Sequence, residues 1–131
     1  MFAEIEVATW SRAELVDITA RIQDTISQKG GARDCVVVVF VPHTTAGVTI
    51  YENSDPDVVR DFLHQLEKMA PWDNGYRHLE GNSAAHIKTS LVGSSVVVPV
   101  SGGRLALGAW QAVFFCEFDG PRRRTAYVST L

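Results

Sequence analysis

Residues 35–41 read CVVVVFV, an unbroken apolar run in which five of the seven side chains are valine. A run of this length with no alternating polar residues predicts a strand that is buried on both faces of a sheet. Pro42 follows directly and ends the strand, because proline has no N–H to donate to a neighbouring strand. A fold for this chain must therefore place a covering layer on each side of residues 35–41.

Other short segments are rich in Val, Ile, Phe, Thr and Tyr, the residue types that favour strands. One of them, residues 15–18, has a second interpretation as the start of a helix, because Ser11 and Glu14 have the spacing of a capping box. We prefer the strand there, since a better helix signal follows at once. We predict these further strands at residues 2–9, 15–18, 45–51, 95–100, 111–118 and 125–130.

The first helix is predicted over residues 19–29. Ile22 and Ile26 lie four residues apart, which places both on one helical face. Gly30 and Gly31 follow, and glycine is the residue type that most often ends a helix.

Two more segments carry helix signals. Asp55 and Pro56 have the residue types of an N-cap and a first helical position. Apolar residues then recur on one face until Pro71 ends the helix. Residues 83–91 are short and helix-like.

These helices fall between strands without alternating regularly with them, which predicts an α+β fold. We expect a compact sandwich, with a mainly antiparallel sheet of six or seven strands and two or three helices. Residues 1–131 contain no linker, repeat or low-complexity segment, so we expect one domain. Neither GxGxxG nor GxxxxGK[ST] occurs, so nucleotide binding has no motif support.

Composition limits the partners and the compartment that we expect. The 131 residues include 12 basic and 15 acidic side chains, a net charge of −3, which argues against nucleic-acid binding. No apolar run approaches the ~20 residues of a membrane span, and the first residues lack the basic start of a signal peptide. Cys35 and Cys116 lie in apolar runs and are predicted to be buried free thiols. We therefore expect a cytoplasmic protein.

His43 follows the most apolar strand, in the segment PHTTAG, and strand ends that lead into loops are common places for a site. Thr44 and Thr45 offer hydroxyl donors to an anion, and Gly47 allows a close backbone approach. The alternative is an ordinary turn in which His43 is hydrogen-bonded to the backbone.

Two other histidines could join His43. His78 lies in the predicted loop, and His86 lies in the short helix, eight residues further on. Three imidazoles with an open fourth position form a known catalytic zinc arrangement, although these spacings carry no ligand signature. Lys88, from the same helix, is a substrate-binding candidate, whereas His64 is predicted on the surface of the second helix.

Polar residues near two other strand ends are further candidates. Glu52 and Asn53 could line a site as a base and an amide donor, or form a solvated turn. Gln111 could hydrogen-bond across a site or only across strands, and its neighbour Trp110 is a core candidate.

Glu117 lies in the apolar segment FFCEF, so its carboxylate must either face solvent or have a partner. The nearest candidates for that partner are Arg122, Arg123 and Arg124. These three arginines either form an exposed turn or clamp a phosphate, since guanidinium groups match phosphate oxygens in geometry.

Residues 95–113, SVVVPVSGGRLALGAWQAV, resemble the signature of the YjbQ-like family, whose members are described as secondary thiamine-phosphate synthase enzymes. The resemblance covers nearly the whole chain. One departure is Ala109, where the family usually has Thr. The other segments that carry the resemblance are residues 42–46, 52–53, the loop of His78, residues 85–86 and residues 116–124.

The resemblance implies a trimer with sheets packed around a threefold axis. It also implies a site that uses His43, His78 and His86, which hold a divalent metal in some members. Zinc suits three imidazoles better than Mg²⁺, which prefers oxygen ligands.

Two functions remain open at this point. The first is a metal-dependent enzyme that acts on a small phosphorylated substrate, with Glu52 and Glu117 as catalytic candidates. In the thiamine-phosphate synthase reaction, a thiazole phosphate nitrogen attacks a pyrimidine pyrophosphate and pyrophosphate leaves. Metal-assisted hydrolysis of a phosphate ester fits equally well. The second is a non-catalytic oligomeric protein that binds a metal or a small ligand. The substrate-binding candidates in either case are Thr44, Thr45, Asn53, Lys88, Gln111 and Arg124.

Overall fold

The computed structural model describes residues 1–29 and 33–131. Within these residues the chain forms eight strands and three helices. In chain order they are β1 (Phe2–Ala8), β2 (Glu14–Asp17), α1 (Thr19–Lys29), β3 (Cys35–Phe40), β4 (Ala46–Glu52), α2 (Pro56–Met69), α3 (Ser83–Val92), β5 (Ser95–Ser101), β6 (Arg104–Leu105), β7 (Gln111–Glu117) and β8 (Arg123–Thr130).

The strands form two sheets, and the strand pairs in the described residues are all antiparallel. A five-stranded sheet has the order β1-β8-β3-β5-β6, and a three-stranded sheet has the order β2-β7-β4. This architecture confirms the α+β fold class. The additional strand is β6, whose two residues pair with the end of β5 and are too few to give a pattern in the sequence.

The chain is arranged in three layers. The largest core cluster lies between the two sheets, where Val37 and Val39 of β3 join Val113 and Phe115 of β7. A second cluster lies on the other side of the three-stranded sheet, where α2 and α3 contribute Leu66 and Ala85. β7 is therefore the strand that is covered on both faces.

The prediction that residues 35–41 are buried on both faces was wrong. Val37, Val39 and Val41 are buried, but Val36 is only half-buried and Phe40 is exposed. The reason is that α2 and α3 cover the three-stranded sheet, α1 packs into the core between the sheets, and no described element of this chain covers the outer face of the five-stranded sheet.

The helix signals are confirmed where the structure describes them. Asp55 caps α2 with its carboxylate, which accepts the N–H of Asp57 over 2.9 Å, and Pro56 is the first residue of the helix. Glu14 accepts the backbone N–H groups of Trp10 and Ser11, so its carboxylate closes a turn before β2. The predicted helix end at residues 30–31 lies outside the described residues.

Among the helices of the described residues, none combines the length and the hydropathy that crossing a membrane requires.

Candidate functional site

His43 completes the five-stranded sheet at the point where β3 ends. The last pair between β3 and β8 is Phe40 with Tyr127, so Thr125 lies two residues beyond the end of β3. Its backbone N–H donates to Nε2 of His43 over 3.0 Å. An N–H group can donate only to a lone pair, so the neutral imidazole carries its proton on Nδ1. Burial, together with the nearby charge of Arg124, lowers the pKa of His43 and favours this neutral form.

The same imidazole borders a cleft of about 310 Å³ between the turn after β3 and helix α3. We call this cleft the histidine pocket. His86, Thr89 and Ser90 follow the i, i+3, i+4 spacing that puts them on one helical face. The polar side chains of its lining are His43, Thr44, His86, Thr89, Ser90 and Ser94.

Gly47 allows β4 to pack closely against the end of α3, beside the histidine pocket. The N–H of Val48 donates to the carbonyl of Gly93, at the end of α3, over 3.2 Å. A Cβ atom on Gly47 would collide with that same carbonyl oxygen. Gly47 therefore makes a close backbone approach to the end of α3, while a close approach to a ligand stays a prediction.

Thr89 lines the histidine pocket and carries a buried polar group without a partner in the described part of the chain. Thr89 is only 5% exposed, and its Oγ1 has no hydrogen-bond partner within the described residues. Leaving a buried hydroxyl unpaired costs about 1–3 kcal/mol. Oγ1 is itself closed to solvent, so a ligand oxygen can become its partner only if the side chain turns towards the pocket.

His86 also contacts the third predicted histidine. The rings of His78 and His86 meet edge to face, with centroids 5.6 Å apart, and both line a second cleft with Tyr76 and Arg77. His86 therefore lies between two clefts, with His43 on one side and His78 on the other.

These histidines do not fit a single three-ligand metal centre as they lie. Two imidazoles on one zinc ion, with tetrahedral angles and Zn–N distances of about 2.0–2.1 Å, hold their centroids roughly 5–6 Å apart. The centroid distance of His78 and His86 is compatible with that arrangement. His43 does not fit, because its Nε2 accepts a hydrogen bond and its Nδ1 carries the proton, whereas a ligating histidine donates its other N–H. Across residues 1–29 and 33–131, no group of three or more potential ligands is arranged to hold a metal.

Next to the turn that carries His43, Glu117 and Arg124 form a buried ion pair. Nε and a terminal nitrogen of Arg124 donate to the two carboxylate oxygens of Glu117 over 2.8 and 2.5 Å. Glu117 also accepts from the hydroxyl of Thr9 and the N–H of Asp119. Burial would raise the pKa of Glu117, but these hydrogen bonds outweigh it, and the pKa falls below the usual value.

This network shows which of the alternatives holds for Glu117, whose carboxylate was expected either to face solvent or to have an arginine partner. The carboxylate has a partner, which is Arg124, while Arg122 pairs with Asp119 near the surface. Arg124 also donates to the hydroxyl of Thr45 over 2.9 Å. Thr45 and Arg124 thus support the turn that carries His43, and their predicted contact with substrate is untested.

Lys88 links the two helices that cover the three-stranded sheet. Its buried ammonium group donates to the carboxylate of Glu67, in α2, over 2.6 Å. That hydrogen bond holds the pKa of Glu67 below its usual value. Lys88 does not line the histidine pocket as the structure describes it, so its predicted role in substrate binding has no geometric support within one chain.

Glu52, Asn53 and Gln111 lie at the other end of the three-stranded sheet. In the register of β4 and β7, Glu52 pairs with Gln111 and Ala46 pairs with Glu117. Six residues of antiparallel strand span about 20 Å, so this group is too far away to act in the histidine pocket of the same chain.

Gln111 and Trp110, at that end of the sheet, have local structural roles or surroundings that the structure defines. Gln111 accepts the N–H of Gly108 through its side-chain oxygen over 2.9 Å. Trp110, a candidate for the core, is 65% exposed, because it lies in a turn outside both core clusters. His64 is exposed on α2, as predicted.

Sequence reasoning missed Thr89, Ser90 and Ser94. The helical spacing of Thr89 and Ser90 from His86 was the available signal, because residues three and four apart share a face. Nothing in the sequence indicated that this face would meet the turn of His43.

Comparison with known proteins agrees with the geometry of the fold. Residues 3–131 match the family described as UPF0047 protein YjbQ-like. The UPF0047 protein YugU of Bacillus subtilis is 46% identical over 132 residues, covering 100% of this chain and 99% of that protein. The UPF0047 protein MJ1081 of Methanocaldococcus jannaschii is 48% identical, covering 100% and 94%.

Solved structures of similar proteins have the same fold. A conserved protein of the YjbQ/UPF0047 family from Clostridium acetobutylicum superposes with a TM-score of 0.95 at 46% identity, covering 98% of this chain and 99% of that one. A hypothetical protein from Aeropyrum pernix gives a TM-score of 0.94 at 34% identity, with 100% and 98% covered. Since the match spans almost the whole chain in both sequence and structure, this protein belongs to the YjbQ-like UPF0047 family.

Proposed function

We propose that this protein is an enzyme that acts on a small phosphorylated substrate and binds the phosphate group in the histidine pocket. The observation that carries the proposal is the buried, unpartnered hydroxyl of Thr89 in that pocket. Phosphate oxygens accept hydrogen bonds, and a pocket lined by several hydroxyl groups can surround them without a large net charge.

His43 and His86 have different roles in this proposal. His43 is neutral and presents an N–H group, so it can bind an anionic oxygen. His86 borders the pocket and also contacts His78, so its ring is the group placed to exchange a proton with the substrate. The proposed substrates follow the family resemblance, and they are the precursors of thiamine phosphate or a simple phosphate ester.

A divalent metal, with zinc as the expected ion, remains a prediction. The ring centroids of His78 and His86 lie 5.6 Å apart, a distance compatible with two ligands of one zinc ion, and other donors would have to complete the coordination. A bound zinc ion would supply positive charge for a phosphate oxygen or for a leaving group. Phosphate binding through His43 and Thr89 does not depend on that ion.

The alternative is a non-catalytic protein that binds a small ligand. The position of the predicted catalytic carboxylates favours it. Glu117 is buried in its pair with Arg124, and Glu52 lies about 20 Å away along β4. The described lining of the histidine pocket therefore contains no carboxylate base.

Assembly into a homotrimer would affect this argument, and we propose that the outer face of the five-stranded sheet is where copies meet. Phe2 and Val97 are 60% and 59% exposed on it, and the ring of Tyr127 lies tilted against Phe2 and stacked on Phe40. Exposed apolar patches of this kind commonly mark protein interfaces. A neighbouring copy could also bring its Glu52 and Gln111 towards a histidine pocket. Light scattering of the purified protein tests the trimer, and a monomer at micromolar concentration would contradict it.

A cytoplasmic location is part of the same proposal. Cys35 and Cys116 are both free thiols, as is usual in a reducing compartment.

Turnover distinguishes the enzyme from the binding protein. The purified protein is assayed for formation of thiamine phosphate and for hydrolysis of 4-nitrophenyl phosphate, with and without zinc. We expect His86→Ala to abolish the rate and the surface variant His64→Ala to retain it. Equal trace rates in both variants would show that the activity does not arise in this pocket. Phosphate binding without any turnover would favour the alternative.

A further inference from the structure

The family resemblance implies that His43 is a metal ligand, and the structure disagrees. We infer that His43 is instead a hydrogen-bond donor, which holds an oxygen of an anionic ligand in the histidine pocket through its Nδ1–H. The inference rests on the proposed function for the presence of an anion, but not for the protonation of the ring.

The backbone of β8 fixes that protonation. Thr125 donates its N–H to Nε2 of His43 over 3.0 Å, so Nε2 must keep its lone pair. A metal ion on Nδ1 would move the ring proton to Nε2 and set two N–H donors against each other. Turning the ring over would place a carbon opposite Thr125 and leave its amide unbonded, which would be unfavourable in this partly buried position.

The position of His43 in the fold makes the hydrogen bond from Thr125 hard to replace. β3 has left the sheet after Phe40, opposite Tyr127, so no backbone carbonyl of β3 pairs with Thr125. On its other side, β8 continues its pairing with β1, where Thr125 lies opposite Glu6. His43 therefore satisfies a sheet amide with one nitrogen and leaves the other for the histidine pocket.

The charges around His43 agree with an anionic ligand. Arg124 and Arg122 contribute positive charge, and Glu117 contributes negative charge from within its ion pair. Thr89 lies across the pocket with a hydroxyl that lacks a partner. An oxyanion would thus find a donor on His43, and a second on Thr89 if that side chain turns towards it, whereas a cation would find no lone pair on His43.

Nitrogen NMR of the imidazole rings in the full-length protein, labelled with ¹⁵N, tests the protonation directly. We expect His43 to show a protonated Nδ1 and an unprotonated Nε2, both before and after zinc is added. His64 serves as the exposed reference ring. A proton on Nε2 of His43, or a loss of the Nδ1 proton on addition of zinc, would overturn the inference.

Two substitutions separate the two nitrogens of His43. His43→Gln places an amide oxygen three bonds from Cβ, where Nε2 accepts from Thr125. His43→Asn places an amide nitrogen two bonds from Cβ, where Nδ1 donates to the ligand. We expect His43→Gln to keep the thermal stability and to lose about tenfold in affinity for inorganic phosphate, the size of one lost hydrogen bond.

His43→Asn should show the opposite pattern, with a lower melting temperature and an affinity within about threefold of the native protein. If His43 were a metal ligand, both variants would lose zinc binding to the same extent, and that result would contradict the inference. Should the native protein bind no phosphate or phosphate ester, the proposed function fails, while the NMR experiment still decides the role of His43.

Discussion

Thr125 donates its backbone N–H to Nε2 of His43 across 3.0 Å, so a side chain takes over the hydrogen bonding of β8 where β3 has ended. This contact holds His43 in one tautomer, and the same imidazole borders a pocket lined by hydroxyl groups. Under the proposed function, one imidazole therefore serves both stability and ligand recognition.

The ion pair of Glu117 and Arg124 should be needed for folding. Removing one partner of a buried pair leaves an uncompensated charge, which costs about 3–5 kcal/mol. We expect Arg124→Met to lower the free energy of unfolding by that amount in urea titrations. Arg123→Met is the matched control, because Arg123 is exposed, and it should change stability by no more than about 0.5 kcal/mol. A small effect of Arg124→Met would show that Glu117 has other compensation.

Glu117 should make the protein sensitive to acid. Its pKa is lower in the folded protein than in the unfolded chain, so the unfolded chain binds a proton first as the pH falls. The stabilisation is complete above the ordinary carboxyl pKa of 4.5 and is lost as the pH falls through the lower folded value. Urea titrations at several pH values should show this loss, and Glu117→Gln should lack its share of it. An unchanged acid limb in the variant would contradict this assignment.

Lys88 and Glu67 should respond unequally to substitution, because the ammonium group is buried and the carboxylate is half-exposed. Glu67→Ala leaves a buried charge unpaired, whereas Lys88→Met removes that charge and leaves Glu67 in contact with water. We expect Glu67→Ala to destabilise the protein more than Lys88→Met. Phosphate affinity should not change in Lys88→Met, and a clear loss of affinity would restore Lys88 as a substrate-binding residue.

Gly47 should tolerate no side chain. A methyl group there collides with the carbonyl oxygen of Gly93, which would push α3 away from β4 and open the histidine pocket. We expect Gly47→Ala to cost about 1–3 kcal/mol in unfolding free energy and to weaken phosphate binding. Gly108→Ala is the control, since its nearest neighbour is the flexible side chain of Gln111. Equal stability of the two variants would contradict this reason for Gly47.

The sequence was sufficient for features that depend on local chemistry. Asp55 and Pro56 marked the start of α2 because capping and the fixed φ of proline act within one turn. Burial on both faces was predicted for residues 35–41, but it is found in β7. Whether a strand is covered on both faces depends on which sheet the helices pack against. The apolar composition of a strand does not reveal which sheet the helices cover.

For the candidate site too, local features could be predicted from the sequence and long-range ones could not. His43 and His86 were candidates because a strand end and histidine residues can be read from a sequence, and the two line one pocket. The distance from Glu52 to the pocket depends on the register of β4 against β7, and the orphaned hydroxyl of Thr89 depends on the packing of α3. Both are long-range properties that no local pattern records.

The affinity of the histidine pocket for inorganic phosphate, measured by calorimetry in matched variants of Thr89, tests the central claim most directly. Thr89→Ser keeps the hydroxyl, and Thr89→Val replaces it with a methyl group of similar size. We predict that Thr89→Ser binds phosphate about as well as the native protein and that Thr89→Val binds about tenfold more weakly, with no loss of thermal stability, because the unbound protein loses an unpaired buried hydroxyl. Equal phosphate affinity in Thr89→Val and the native protein would contradict the account.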